Sequence, residues 1–266
     1  MYLEIEHETI YRYDAPVARS TQYLRLTPRA GRRLRIIDWQ LTLPARASQG
    51  LDAYGNVLHV LTLDQPHSEI RLHARGRVET LDEPPSPEQD DGLPPPLFLR
   101  DSALTRADAA ISRFAGQFME PLAANRQTGL AQLMQALGEH MPYTPGSTDA
   151  ATPAAEAFAN RNGVCQDHSQ VFVTCARLLG VPARYVSGYL AADVQHVASH
   201  AWAEVWLEDG WLGYDVSNQC LADQRYVKLA VGQDYLDACP VRGVRVGGGL
   251  EAMRAMVQVS QGQAQQ

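Results

Sequence analysis

The chain has 266 residues, enough for one large domain or two smaller ones with a substantial core. Its 45% hydrophobic and 20% charged residues are those of a globular protein, and a formal net charge of −7 argues against a general nucleic-acid binder, which would carry a basic field. No apolar run approaches membrane-spanning length, and Met1-Tyr2-Leu3-Glu4-Ile5-Glu6 alternates polar and apolar, so neither signal peptide nor anchor is expected and the expected location is cytoplasmic. Cys165, Cys175, Cys220 and Cys239 include no Cys-x-x-Cys pair and read as reduced thiols rather than a disulfide framework or zinc ribbon.

Leu3, Ile5, His7, Thr9, Tyr11 and Tyr13 alternate with Glu4, Glu6, Glu8 and Arg12, the period of two that predicts a strand. Ile37, Trp39, Leu41 and Leu43 repeat it. Asp52-Ala53-Tyr54-Gly55-Asn56 reads as a turn before a strand over 57–63, and Ile70, Leu72 and Ala74 alternate with Arg71, His73 and Arg75. Such strands, separated by Gly, Pro and Asn, predict an all-β, sandwich-like domain over residues 1–81. Residues 82–97 are acidic and proline-rich. They cannot bury enough apolar surface to offset their ordering entropy, and they predict a semi-extended linker.

Beyond the linker the period becomes helical. Thr105 followed by Asp108 predicts the N-terminal cap of a helix running through Phe118. Leu130, Leu133, Met134 and Leu137 form one face of a helix ending near His140. Thr152 as cap, with Pro153 in the first helical position, starts a short helix that stops before Gly163. Val171, Phe172, Cys175, Leu178 and Leu179 form a stripe on a helix from Cys165 that Gly180-Val181-Pro182 ends. Strands are predicted over 185–190, 200–207, 211–216 and 226–231, with a last one near 253–259. Helices followed by an antiparallel sheet make residues 98–259 an α+β domain, and the polar tail 260–266 is expected to be disordered.

Three residues can carry chemistry. Cys165 follows Gly163-Val164 and begins a helix, where unpaired backbone N–H groups and the dipole favour a thiolate and can shift a thiol from about 8.5 toward roughly 3.5 to 7.5. Those N–H groups, the Cys165 backbone N–H first, can also hold an oxyanion. His200, in Ser199-His200-Ala201-Trp202, shares a strand face with Trp202, Glu204 and Trp206; the opposite, aliphatic face is expected to be the core side, leaving His200 toward a cleft or solvent. Asp215 follows the turn Glu208-Asp209-Gly210. If Asp209-Gly210 is the loop, Asp215 lies opposite Glu204, out of reach of His200; if Glu208-Asp209 is the loop, it lies opposite Trp202 and within reach. Cys175 reads as a core residue. Cys165 and His168 with His196, His200 or Cys220 form a competing zinc reading, although the spacings match no standard pattern. A binding module without turnover is a second rival, which the intact Cys, His and Asp oppose.

Gly163-Val164-Cys165-Gln166-Asp167, Arg184-Tyr185-Val186-Ser187-Gly188-Tyr189, His200-Ala201-Trp202-Ala203-Glu204-Val205 and Trp211-Leu212-Gly213-Tyr214-Asp215 together resemble the bacterial transglutaminase-like cysteine protease family. Tyr11-Arg12-Tyr13-Asp14-Ala15-Pro16-Val17, Leu24-Arg25-Leu26-Thr27-Pro28, Tyr54-Gly55-Asn56 and Val78-Glu79-Thr80 look like that family's N-terminal β domain. The resemblance implies an α+β, papain-like core preceded by an all-β domain, with Cys165 as nucleophile, His200 as acid/base and Asp215 as orienter. It implies cleavage of a peptide or amide through a thioester, with a transglutaminase that passes the acyl group to an amine as the alternative. Tyr143 stands where related enzymes keep an oxyanion donor or a packing aromatic. No cofactor or metal is implied; the partner is a peptide or amide substrate, not nucleic acid or membrane, and a functional link to an ATP-grasp amide ligase is open. Two segments depart from the family pattern: Asp215-Val216-Ser217-Asn218 replaces Asp-Pro-Thr-Asn, and His168-Ser169-Gln170 replaces aromatic-Ala-His.

Overall fold

The alternation that begins at Leu3 runs further than its first thirteen residues, because polar and apolar side chains keep exchanging faces as far as Leu24. The result is one long strand, β1 (Tyr2–Leu24). The computed structural model describes residues 1–89, 92–191, 199–208 and 210–262. In it β2 (Leu34–Thr42), β3 (Ala47–Leu51), β4 (Val57–Leu63) and β5 (His67–Thr80) join β1 in the antiparallel order β2-β5-β1-β4-β3. Register breaks between Arg12 and Val17 bend β1, so its first half pairs with β5 and its second half with β4. The N-terminal unit is therefore all-β, its strands joined in one hydrogen-bonded sheet that bends at β1. Tyr13, Val17, Leu24, Leu61, Ile70 and Leu72 fill its core.

Helices follow a proline-rich segment that is more than a tether. Pro95–Leu99 form a 3-10 turn, and Glu88 pairs with Trp211 through both backbone groups. Next come α1 (Ala109–Gly116), α2 (Met119–Ala124), α3 (Arg126–His140), α4 (Ala154–Asn160) and α5 (Cys165–Leu178). Asp108 caps α1, accepting from Ala110 and Ile111 N–H, whereas Thr105 turns back to Ser102. Asn125 caps α3 at a break after α2, a short helix not among those expected from the sequence. Pro153, not Thr152, is the N-cap of α4; the Thr152 hydroxyl is used by Asp149.

The second sheet is antiparallel, in the order β10-β6-β7-β8-β9, from β6 (Ala183–Leu190), β7 (His200–Leu207), β8 (Gly210–Asp215), β9 (Cys220–Leu221) and β10 (Tyr226–Gly232). The stripe of α5, with Val171, Phe172, Cys175 and Ala176 buried, packs on Ala203, Val205, Leu212 and Tyr214 and forms the main core. Each such aliphatic burial is worth about 1.5–3 kcal/mol. After a short α6 (Tyr235–Ala238), the chain returns to the first sheet. β11 (Val241–Gly247) pairs with Thr21 and its neighbours, and β12 (Glu251–Gln261) with residues 3–13 of β1. The last strand therefore belongs to the N-terminal sheet and not to the 98–259 unit. Its Val257 and Val259 close a cluster with Leu3, Ile5 and Val78 against Tyr189, Val227 and Leu229 of the second sheet. Periodicity identifies such a strand but not its partner. Ser260 and Gln261 lie within β12 and Gly262 N–H bonds Tyr2 C=O, so of the tail only residues 263–266 fall outside the described residues.

The two units also meet through polar groups. The Asn56 side chain exchanges two 2.8 Å hydrogen bonds with the Val231 backbone, and Tyr54 Oη donates to Asp237 Oδ2 at 2.5 Å. Buried His7 bonds Tyr189 Oη at 2.8 Å through Nδ1 and Thr9 Oγ1 at 2.9 Å through Nε2. Burial, then repulsion from His73, lowers its pKa from 6.5 to about 4. The folded state thus takes up this proton later than the unfolded chain, so His7 costs nothing above about pH 6.5 and destabilises progressively as pH falls toward 4, by about 3 kcal/mol. His7→Gln is expected to flatten the fall of the urea midpoint between pH 6.5 and 4; an unchanged slope would assign that fall to other groups.

Candidate active site

Cys165 is the first residue of α5. Asp167, two positions on, sets this end of the helix: its Oδ2 accepts Val164 N–H at 2.8 Å and Thr148 Oγ1–H at 2.6 Å. Val164 has no polar side chain to complete a reciprocal cap, so the carboxylate alone answers the backbone and adds negative charge to the positive end of the helix. Gly163 is required for space rather than for an unusual backbone angle, since a Cβ there would sit 2.6 Å from Asp167 Cβ.

His200 opens β7 and Asp215 closes β8, so the antiparallel pairing brings their ends together. Leu207 pairs with Gly210 and Ala203 with Tyr214, leaving residues 208 and 209 as the connection. Asp209 itself lies outside the described residues. Glu208 has φ +52°, the left-handed value that a two-residue hairpin connection demands. Continued one step, this register sets Asp215 opposite Trp202, so of the two registers open in the sequence it is the one that brings Asp215 to His200. Nε2–H of His200 donates to Asp215 Oδ2 at 2.6 Å, with the two side chains 11% and 1% exposed. Cys165 lies close enough to the same ring for its charge to act on it, and with Nε2 given to Asp215, Nδ1 is the nitrogen left for a further partner. Burial works against a charged ring here. The hydrogen bonds and negative charges of Asp215 and Cys165 outweigh it and push the His200 pKa up to about 10. Burial likewise opposes the Asp215 charge, but hydrogen bonds from His200, Asn218 and Tyr226 hold its carboxyl below the usual range.

Several neighbours carry no strong signal in the sequence. Asn218 donates to Asp215 through Nδ2 at 2.7 Å and N–H at 3.1 Å, and Tyr226 Oη donates to Oδ2 at 2.7 Å. Trp202 stacks beside His200, ring centroids 6.3 Å apart, and meets Tyr226 edge-on. Asn218 could have been found, as it stands in the segment compared with Asp-Pro-Thr-Asn. Tyr226 could not, because only tertiary pairing brings β10 to this point.

The two segments that depart from the family pattern meet in space. Ser217 Oγ–H donates to His168 Nδ1 at 2.8 Å, and His168 Nε2–H donates to the Met141 carbonyl at 2.7 Å. Burial lowers the His168 pKa, in keeping with a neutral ring used this way. Both ring nitrogens are taken, which removes His168 from the zinc reading; His196 lies outside the described residues, and among those described no three His, Cys, Asp or Glu are grouped to hold a metal. Gln170 donates to Thr152 C=O at 3.3 Å. Tyr143 is 54% exposed and packs edge-on to His168 beside Gly163. Burial first, then the charges of Cys165 and Asp215, raise its pKa, so its hydroxyl lies near the site.

The strand face bearing His200 carries buried Trp202 and Glu204, with Tyr226 packed on Trp202, and these three line a cleft together with Lys228 and Glu88. A buried ion cluster lies here: Glu204 accepts from Arg184 Nε at 2.7 Å and Lys228 Nζ at 2.7 Å.

Residues 3–79 match a family model described as the bacterial transglutaminase-like N-terminal region, and residues 113–216 match one described as the transglutaminase-like superfamily. An uncharacterised protein of Mycobacterium tuberculosis (strain ATCC 25618 / H37Rv) is 32% identical over 271 residues, covering 90% of this chain and 86% of its own. A protein-glutamine gamma-glutamyltransferase of Pseudomonas aeruginosa is 31% identical over 143 residues, 47% of this chain but 21% of that protein. The fold is shared with a protein from Cytophaga hutchinsonii described as a candidate cysteine protease, with TM-score 0.80 and 19% identity over 100% of this chain and 92% of that one. A relative this similar along nearly its whole length, with both units matched by family models, means that the chain belongs to the transglutaminase-like superfamily of cysteine-dependent acyl-transfer enzymes.

Proposed function

We propose that this protein cleaves a peptide or amide bond through a thioester on Cys165. The observation that carries the reading is the 2.6 Å hydrogen bond that ties His200 to the buried carboxylate of Asp215, on a ring close enough to Cys165 for the thiol to help raise its pKa. Cys165 attacks the carbonyl carbon as a thiolate, the oxyanion being met by the Cys165 N–H at the start of α5, with the Tyr143 hydroxyl as a second candidate donor. The C–N bond breaks as His200 gives its proton to the departing amine. Water then attacks the thioester, His200 takes the proton that it loses, and the acid and free thiol are released. Asp215 holds the ring in the tautomer with Nε2–H and stabilises its charge.

A second reading keeps the same thioester and passes the acyl group to an amine. The local similarity to a protein-glutamine gamma-glutamyltransferase favours it, although that match spans only about a fifth of that protein. The experiment that separates them supplies a glutaminyl peptide with hydroxylamine. Peptide acid as the main product, even with excess hydroxylamine, is expected; predominant hydroxamate would establish the transferase instead, and neither product would remove glutaminyl amides from the substrate class.

A further inference from the structure

Three donors converge on one oxygen of Asp215. His200 Nε2 lies 2.6 Å, Tyr226 Oη 2.7 Å and Asn218 Nδ2 2.7 Å from Oδ2. An sp² oxygen has two lone pairs, so three donors compete for it and each limits where the others can sit. Asn218 belongs to the same turn as Asp215. Tyr226 comes from the start of β10, at the opposite edge of the sheet from β9, and its placement is independently fixed. Its ring meets Trp202 edge-on at 5.3 Å. Its oxygen lies 3.3 Å from Cys220 Sγ, so with its own proton committed to Asp215 it can accept the Cys220 S–H. Nothing in acyl transfer calls for a tyrosine behind the carboxylate, yet the hydroxyl is aimed there from both sides.

We propose that Tyr226 is a positioning residue for the reaction at Cys165: its hydroxyl donates to Asp215 Oδ2, fixes the carboxylate in the plane of the His200 ring and keeps it ionised. This rests on the nucleophile reading above. A carboxylate with that donor has little basicity to spare, so the proton stays on His200 Nε2 and the ring can use Nδ1 toward the thiol. The titratable groups that face Asp215 are His200 on β7, Cys220 on β9, Tyr226 on β10, His168 on α5 and Tyr143 ahead of α4. Burial and the charge of Asp215 raise the Tyr226 pKa, which keeps the hydroxyl a donor wherever Asp215 is charged.

Tyr226→Phe keeps the ring against Trp202 and deletes only the donor. The readout is the rate at which iodoacetamide alkylates Cys165 as a function of pH, followed by peptide mapping and requiring no knowledge of the substrate. A hydrogen bond to a charged group predicts a rate roughly tenfold lower at pH 7. Loss of a donor to the charged form raises the Asp215 pKa, so the acid limb is expected to move to higher pH by about one unit. Tyr226→His, which restores an N–H donor, should recover much of both, a rescue that a purely packing role would not give. If Tyr226→Phe fails to fold, Tyr226→Met removes the donor in a second way and is read identically. A wild-type rate and acid limb in the donorless variant, while His200→Ala is slowed, would overturn the positioning role alone. If His200→Ala also labels at the wild-type rate, the nucleophile reading falls and this proposal with it.

Discussion

Asp215→Asn is expected to lower turnover by roughly 10³- to 10⁴-fold, the scale seen when a triad carboxylate becomes an amide of the same shape. The physical cause is legible in the site. His200 sits in a place where burial alone would lower its pKa, and it is held at about 10 by Asp215 and Cys165 together. Without the carboxylate the burial cost remains while the main compensation goes, so the ring loses its proton far earlier. The sign follows directly. A group whose pKa is raised by its partner stays charged until pH passes that raised value, so the wild-type alkaline limb belongs near pH 10. In Asp215→Asn it should move down toward or below the ordinary imidazole value of 6.5. Stability should change less than activity, since Asn keeps the contacts of Oδ1. A variant with wild-type turnover and an unmoved alkaline limb would show that Asp215 has no part in the chemistry.

Glu204→Gln is expected to be the most damaging single change to stability, at about 3–5 kcal/mol. Glu204 is buried between Arg184, 2% exposed and stacked 4.1 Å over Trp211, and Lys228, 34% exposed. Burial penalises the carboxylate, but Lys228 and Arg184 outweigh that and lower its pKa from 4.5 to about 2. Its contribution is therefore fully present above about pH 4.5 and is lost as pH falls toward 2. Removing the anion leaves two cations facing each other in a poorly solvated place. Replacing the buried pair together, as Arg184→Met with Glu204→Leu, should cost less than Glu204→Gln alone, because the only charge left without its partner is that of Lys228, which is 34% exposed. Urea denaturation of the two variants beside the wild type checks this. Equal destabilisation by the single and double changes would mean that packing, not charge, holds this junction.

Helix start and strand parity make Cys165, His200 and Asp215 candidates because each signal is local: a glycine two residues before the thiol, and alternation along β7 and β8; their roles come from the family resemblance. The hairpin register was legible as a choice between two loops, decided in the structure by a Leu207–Gly210 pair. Tyr226 was invisible because nothing in residues 215–226 announces that β10 lies across the sheet from its sequence neighbours. The same limit explains the last strand. Residues 253–259 have a strand's periodicity, but only the pairing with β1 assigns β12 to the first sheet. The linker composition announces few core residues, but the Glu88 pairing with Trp211 uses backbone groups, which composition does not report.

The central claim is that Cys165 is an activated nucleophile, and the four thiols of one protein provide the comparison. Burial raises the pKa of Cys175, Cys220 and Cys239, with Cys175 and Cys239 also shielded from solvent. Cys165 is partly accessible, begins α5 and lies within electrostatic reach of His200. Brief treatment of the folded protein with iodoacetamide at pH 7, followed by peptide mass mapping, should modify Cys165 well before the other three, and His200→Ala should abolish that lead. Equal labelling of Cys165 and Cys220, or a lead for Cys165 that survives the loss of His200, would contradict the account.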